Sequence, residues 1–404
     1  MAKRIVTISL NHMMNQSATV IRFINIAHFI DHFAMLIFAA AVVVMAPVFN
    51  MGFGELLPYA TPGFIAFGAG SLLSGWLGDR WSRRHMMVVF FIGMGAALIG
   101  VGLTQTPFEL GISLFVIGII ASIYHPVGTA MLTAHAEQVG KELGINGVWG
   151  NLGVASSALI TGALVEFAGW RSAFIVPGVL TIFVGLMFTI RVKHHPSPAR
   201  KGGPQQARIS RKAMALVIAS LVITVLASST TFNAVTVAIP KLFEERLSAL
   251  TSSPATLGVI AATVYVFGAF AQYTIGHLID QKPLKVIFLP LAVIIVPALY
   301  LASSLSGWLL IAVSIVVVIA IFGQVTVNDA MIAKYTSDEW RARAYSARYF
   351  LGFTAAGLSV GLVSLLYQQG GFTTMLQAFS ALCLMIVLGA LIFPKDNNTS
   401  FNAR

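Results

Sequence analysis

Residues 75–84 read GWLGDRWSRR and directly follow the second long apolar run of the chain. A weaker copy, GHLIDQKP at 276–283, follows the eighth run, 201 positions later. The positions common to both copies are Gly75, Leu77, Asp79 and Gly276, Leu278, Asp280. Further matches at an offset of 200 are FGA at 67–69 and 267–269, and AM at 130–131 and 330–331. This pattern predicts a unit of six apolar runs that occurs twice.

The composition of the chain agrees with many membrane crossings. Of its 404 residues, 57% are hydrophobic and 10% are charged, against about 25% charged in soluble proteins. One crossing needs roughly 20 apolar residues, and the runs fall near 22–48, 58–78, 86–104, 108–132, 145–168, 171–191, 214–239, 255–279, 284–304, 307–332, 345–367 and 372–393. We therefore predict an all-α membrane protein with 12 transmembrane helices in two six-helix halves, 1–192 and 213–404. The basic, Pro- and Gly-containing stretch 193–212 is predicted to be a cytoplasmic linker.

The net charge of +11 is explained by membrane topology. With the N-terminus inside, 20 of the 25 Lys and Arg residues fall in segments on the cytoplasmic side, whereas only Arg171, Lys241 and Arg246 fall outside. The positive-inside rule then predicts that both termini are cytoplasmic. We expect a multi-pass protein of the plasma membrane (the bacterial inner membrane), in contact with the lipid bilayer, without a nucleic-acid partner, and monomeric.

The 75–84 stretch also fits the G-x-L-x-D-R-x-x-R-[RK] loop of the major facilitator superfamily, which the sequence resembles over essentially its whole length. We interpret the loop as a cytoplasmic latch, in which an Asp accepts hydrogen bonds from a helix N-terminus or pairs with an Arg. The predicted cytoplasmic gate residues are Gly75, Asp79, Arg80, Asp280 and Asp329.

Within this superfamily the sequence resembles the fosmidomycin-resistance-type efflux group. The resemblance rests on His28 and Asp31 in the first span, SIYHPVG at 122–128 and GINGVWGNLG at 144–153. It implies a proton-driven transporter of small organic molecules. Proton-coupled drug antiporters usually have an Arg where this chain has Leu114 and a Pro where it has Asn151, so the sequence leaves the direction of transport open.

Ionisable residues at bilayer depth are costly and mark transport pathways. His28, Asp31 and His32 share one face of the first span, and Asp31 lies about 13 Å from Arg22 along the helix axis at about 1.5 Å per residue. The predicted residues for substrate binding and proton coupling are His28, Asp31, His32, His125, Asn151 and Arg348. Arg348 has two interpretations, namely binding an anionic substrate or pairing with Asp329 or Asp79 to close the inner gate.

Two other functions use the same residues. His28, Asp31, His32 and His125 could bind a transition metal, in a transporter of metals or metal chelates, or in an intramembrane metal-dependent enzyme. The duplicated latch and the absence of a clear nucleophile argue against an enzyme. No G-x-x-x-x-G-K-[ST] motif occurs in the sequence, so we expect an ion gradient, most simply protons, as the energy source and no cofactor.

Overall fold

The computed structural model describes residues 2–137, 139–193, 210–336 and 338–394. The side chains at 2–15, 79, 139–141, 280, 338–343 and 346 lie outside this description, as do residues 194–209 of the predicted linker. Within the described residues, helices are the only regular secondary structure. Eleven of these helical segments are long and apolar enough to cross a membrane.

The last of these segments contains two crossings. The helix Asp338–Ile392 has non-helical backbone angles at Gly370 and Gly371. Gly371 has φ +63°, a left-handed conformation that favours glycine. The chain therefore turns here, and the segment divides into two helices, 338–369 and 372–392. With this division the predicted 12 transmembrane helices are confirmed.

The helices follow the order expected from the apolar runs. In the first half they are α1 (Ala2–Val48), α2 (Thr61–Leu77), α3 (Arg83–Leu103), α4 (Pro107–Ala121), α5 (Val139–Ala168) and α6 (Ser172–Arg191). In the second half they are α7 (Arg211–Arg246), α8 (Pro254–Gln281), α9 (Leu284–Ala302), α10 (Gly307–Tyr335), α11 (338–369) and α12 (372–392). Two short helices, Phe53–Leu56 and Leu57–Ala60, lead into α2.

Two π-helical turns interrupt the regular geometry. One, Gly78–Ser82, lies within the 75–84 stretch, and the other, Tyr124–Gly128, follows α4 and leads into the short helix Thr129–His135. Pro126 lies in the second turn and cannot donate a backbone hydrogen bond. Such turns are frequent at functional sites, and this one holds His125.

Local capping explains where several helices begin. The hydroxyl of Thr106 accepts a hydrogen bond from the amide of Glu109 at 3.2 Å, and Pro107 occupies the first helical position of α4. The hydroxyl of Ser253 likewise accepts from the amide of Thr256 at 3.1 Å, with Pro254 at the first position of α8. Both starts satisfy an amide that the helix leaves unpaired.

We call the end of the bundle where α2 ends and α3 begins the basic end, and the other the opposite end. At the basic end, each half ties its last helix to its third. Arg84 Nε donates to the carbonyl of Val192 at 2.5 Å, just after α6. Lys285 Nζ donates to the carbonyl of Phe393 at 2.5 Å, just after α12. Both donors and both acceptors are 201 positions apart, the offset of the sequence repeat.

The halves meet through close backbone contacts. A Cβ added to Gly162 of α5 would lie 2.4 Å from the carbonyl oxygen of Pro254, and one added to Gly258 of α8 would lie 2.5 Å from that of Ala158. Between α2 and α11, a Cβ on Gly68 would lie 2.8 Å from the backbone of Phe353. Glycine is therefore required where these helices cross, as is common between membrane helices.

Candidate functional site: a buried histidine and aspartate cluster

His28 is held by a hydrogen-bond network that connects α1, the α4 π-helical turn and α5. Its Nδ1 donates to the backbone carbonyl of Asn146 at 2.7 Å. The Asn146 side chain accepts from the hydroxyl of Tyr124 at 2.9 Å and donates to Asn25 Oδ1 at 2.9 Å. Because a carbonyl only accepts, His28 carries its hydrogen on Nδ1, and in the neutral ring Nε2 keeps a lone pair.

Three imidazole rings gather around this point. The ring centres of His28 and His32 are 4.8 Å apart, and that of His125 is 5.4 Å from His28 and 5.5 Å from His32. A Cβ added to Gly150 would lie 2.6 Å from His28 Nε2, so only glycine leaves room for this ring. We call His28, Asp31, His32 and His125 the histidine–aspartate cluster.

Asp31 is the most isolated polar group of the cluster. Its side chain is fully buried, and its Oδ2 lies 3.6 Å from His125 Nε2, beyond normal hydrogen-bond length. Neither carboxylate oxygen nor His125 Nε2 has a hydrogen-bond partner within the described residues. A buried carboxylate in such surroundings is costly unless a proton or cation shares the site. The Asp31–His125 pair is therefore suited to binding and releasing a proton.

Aromatic side chains connect the cluster to the second half. The ring of His125 lies 5.6 Å from that of Tyr349 and 4.9 Å from that of Phe353, both on α11. Phe353 also packs on Phe67 of α2 at 4.6 Å between ring centres. The ring of His125 is thus in direct contact with the helix that carries Arg348, so a movement of this ring affects that helix.

Arg348 forms an ion pair within the second half. Its Nη1 lies 2.9 Å from Oδ1 of Asp329 on α10, and its guanidinium lies 5.0 Å from the ring centre of Tyr349. The hydroxyl of Tyr345 donates to the carbonyl of Asp329 at 3.2 Å. Of the two predicted partners of Arg348, the structure brings Asp329 to it.

Asn151 does not join the histidine–aspartate cluster. Its side-chain amide donates to the side-chain carbonyl of Gln272 on α8 and so links the two halves. Glu166, near the opposite end of α5, also reaches α8, where it accepts from the Ser253 hydroxyl at 2.5 Å and from the Ala255 amide at 2.9 Å.

The other predicted gate residues lie at or just after the end of α2 and at the end of α8. A Cβ on Gly75 would lie 3.2 Å from Pro126, which shows close packing of the end of α2 on the π-helical turn. The guanidinium of Arg80 stacks over Trp76 at 4.8 Å. The side chains of Asp79 and Asp280, which the latch prediction uses, lie outside the described residues.

The structure adds Tyr124, Asn146 and Gln272 to the residues predicted from the sequence. All three are neutral, whereas the residues predicted for substrate binding and proton coupling, apart from Asn151, are ionisable. Tyr124 and Asn146 do lie within SIYHPVG and GINGVWGNLG, so those stretches contained the available indication.

The cluster does not match a preformed metal site. The nearest ligand atoms of His28, His32 and His125 are up to 4.8 Å apart. Tetrahedral zinc with bonds of about 2.0–2.1 Å needs nitrogens roughly 3.4 Å apart. His28, His32 and His125 therefore form a group that could hold a metal ion only after their ring nitrogens move closer together.

The fold and the isolated ionisable groups define a polytopic membrane protein with a polar site inside the bundle. The sequence matches the family model of the Major Facilitator Superfamily over residues 24–328, with a second match over 221–402. The chain belongs to this superfamily, as its 75–84 stretch predicted.

Curated relatives share part of the sequence. A probable sulfoacetate transporter of Cupriavidus necator is 27% identical over 132 residues, which is 32% of this chain and 31% of the relative. A probable hexose phosphate transport protein of Chlamydia trachomatis is 28% identical over 33% of this chain and 30% of its own length. A multidrug resistance protein of Serratia proteamaculans is 26% identical over 39% of each chain. The matches thus span about a third of these relatives.

Solved structures support the fold. A bacterial homologue of the human lysosomal transporter Spinster, in an inward-facing and unoccupied conformation, aligns with a TM-score of 0.74 at 14% identity. The alignment covers 94% of this chain and 96% of the other. At this identity the match establishes the shared fold.

Proposed function

We propose that the protein is a secondary transporter of a small organic molecule, coupled to protons, that works by alternating access between its two halves. The observation that carries the proposal is the Asp31–His125 pair, which is buried and contacts α11 of the other half. Within the described residues, neither the Asp31 carboxylate nor His125 Nε2 has a hydrogen-bond partner. The names of the relatives, which refer to transport of sulfoacetate and hexose phosphate and to multidrug resistance, support a small-molecule substrate.

The proton step follows from the groups in the cluster. When the pair takes up a proton, the electrostatic cost of burying Asp31 falls, and the halves can close around the cluster. When the pair opens to the other side, the same proton can leave to water. Movement of the His125 ring displaces Tyr349 and Phe353, and this displacement transmits the proton step to α11.

The first test is Asp31→Asn in proteoliposomes that contain a pH-sensitive dye. A panel of organic acids, sugar phosphates and cationic dyes is offered under an imposed pH gradient. We expect proton movement coupled to any transported compound to be lost in Asp31→Asn, because the amide cannot exchange a proton. Infrared difference spectra should show a protonated carboxyl signal in the parent protein that is absent from the variant.

Matched histidine variants control this test. His125→Gln removes the partner of Asp31, whereas His135→Gln changes a histidine at the basic end that bonds to the carbonyl of Met131 in its own helix. We expect coupling to fail in the first variant and to persist in the second. Coupled transport by Asp31→Asn at the parent rate would refute the proton role. The sign of the dye response also tells whether substrate and proton move together or in opposite directions.

We also propose that the protein is a monomer and that it is related to the fosmidomycin-resistance-type efflux group. Elemental analysis of the purified protein and of His32→Ala distinguishes it from metal transport. We expect no stoichiometric transition metal in either sample.

A further inference from the structure

A cavity of about 380 Å³ lies in the second half, near the basic end. It opens to the surface of the bundle on one side, where Ile218 is 54% exposed, and it is bordered by α7, the end of α10 and the first part of α11. Most of its wall is apolar, formed by Met214, Ile218, Leu221, Val222, Val225 and Leu351. The charged residue among those that line it is Arg348. This volume is in the range of small-molecule sites, which combine apolar walls with a few polar groups.

The guanidinium of Arg348 has unused hydrogen-bonding capacity. Nη1 is held by Asp329 at 2.9 Å, and the contact from Nη2 to the carbonyl of Val325 is long, at 3.5 Å. Among the side chains that the structure describes, none is a hydrogen-bond partner of Nε, and the Arg348 side chain is only 10% exposed. Nε and Nη2 form one edge of the planar group, the edge that can bind two oxygens of an oxyanion side by side.

Asp329 has two effects on this site. It neutralises Arg348 while no other anion is present, which lowers the cost of a buried cation. It also fixes the guanidinium by Nη1, so that the Nε and Nη2 edge keeps one orientation. An arriving oxyanion therefore meets an oriented donor pair, but it also experiences repulsion from the Asp329 carboxylate.

We propose that this cavity binds an amphipathic organic acid, with its oxyanion on Arg348 and its apolar body against α7. The proposal names the substrate class of the transporter proposed above and rests on that function. Tyr349 contacts both Arg348 and His125. Through this ring, a negative charge bound at Arg348 can influence the proton site of the cluster.

The test is an equilibrium binding measurement by calorimetry on the purified full-length protein, without a pH gradient. The probes are naphthalene-2-carboxylate, its sulfonate and phosphate counterparts, and the neutral naphthalene-2-carboxamide. We expect the acids to bind at least tenfold more tightly than the amide. The order among the three acids identifies which oxyanion the site prefers.

Four variants locate the site. Arg348→Gln should remove the preference for acids, and Arg348→Lys should restore only part of it, because an ammonium group lacks the two-donor edge. Asp329→Asn should tighten acid binding several-fold by removing the repulsion, an effect that a purely structural ion pair would not produce. Val222→Trp should fill the cavity and weaken every probe, whereas Val293→Trp, on the exposed face of α9, should leave binding unchanged.

Equal affinity of the parent protein for acid and amide would overturn the proposal. Unchanged acid binding by Val222→Trp would do so even if the Arg348 variants failed to fold. The binding measurement needs no proton gradient, so the two proposals can fail separately. If the acids bind but transport is not coupled to protons, only the proton role is refuted. Coupled transport without acid binding would refute the cavity alone.

Discussion

At the residue scale, charge was an effective guide to the candidate site because so few residues carry it. The sequence predicted His28, Asp31, His32 and His125 as one group, and the structure brings their side chains together. It could not predict that Asn146 orients His28, because a backbone carbonyl has no sequence signature and neutral polar residues are common in membrane helices. It also could not predict that Asn151 bonds to Gln272, since that contact depends on how the two halves pack.

Gly150 offers a test of how tightly the cluster is built. In Gly150→Ala, the new methyl group would lie 2.6 Å from His28 Nε2, so the ring must rotate and lose its bond to Asn146. We expect destabilisation of about 1–3 kcal/mol, typical of overpacking, and slower proton-coupled transport. The control is Gly147→Ala, one turn earlier in α5, where an added Cβ meets nothing within 4 Å. Thermal unfolding and the dye assay should separate the two variants, and equal behaviour would contradict this account of the site.

At the element scale, the sequence predicted the number and order of the helices well because each crossing needs an apolar run of fixed length. The π-helical turn at Tyr124–Gly128 could not be predicted from the sequence, because the loss of one hydrogen bond at Pro126 does not determine the geometry of the turn. The pairing of α5 with α8 was not predicted, although Ala158 and Gly162 have the small-xxx-small spacing that is common where membrane helices cross. Glu166 of α5 caps the start of α8 in the other half.

The cap by Glu166 should help to keep the opposite end closed. Glu166→Gln weakens two charge-assisted hydrogen bonds to the start of α8, so this end should open more often. A cysteine placed at Ala158, which packs against Gly258 in the same crossing, should then react several-fold faster with a maleimide, in a Cys383→Ser background.

Glu109→Gln is the matched control for this prediction. Glu109 also caps a helix start, with a bond of 2.7 Å from the amide of Gln105, but it does so within the first half. Its substitution should leave the labelling rate unchanged. If Glu109→Gln accelerates labelling as much as Glu166→Gln, the effect is general loosening rather than opening between the halves.

At the scale of the whole molecule, the duplication is more complete in the structure than in the sequence. The sequence shows the 201-residue offset at a few identical positions, whereas the Arg84 and Lys285 contacts occur at the same offset with different residues. Sequence identity misses this equivalence because either cation can donate to the carbonyl groups that a helix leaves unpaired at its C-terminus. Arg84, a positive charge of the 75–84 stretch, therefore ties the start of α3 to the end of α6.

These two contacts predict how the halves share stability. Arg84→Ala and Lys285→Ala each remove hydrogen bonds from a charged donor and should each cost about 1.5–3 kcal/mol. Because the contacts lie in different halves, the double variant should lose the sum of the two to within about 0.5 kcal/mol. Hydrogen exchange should show faster opening of the end of α6 in Arg84→Ala and of the end of α12 in Lys285→Ala. A double variant that loses much more or less than the sum would mean that the two contacts are energetically coupled across the halves, in conflict with two bodies that rock against each other around the histidine–aspartate cluster.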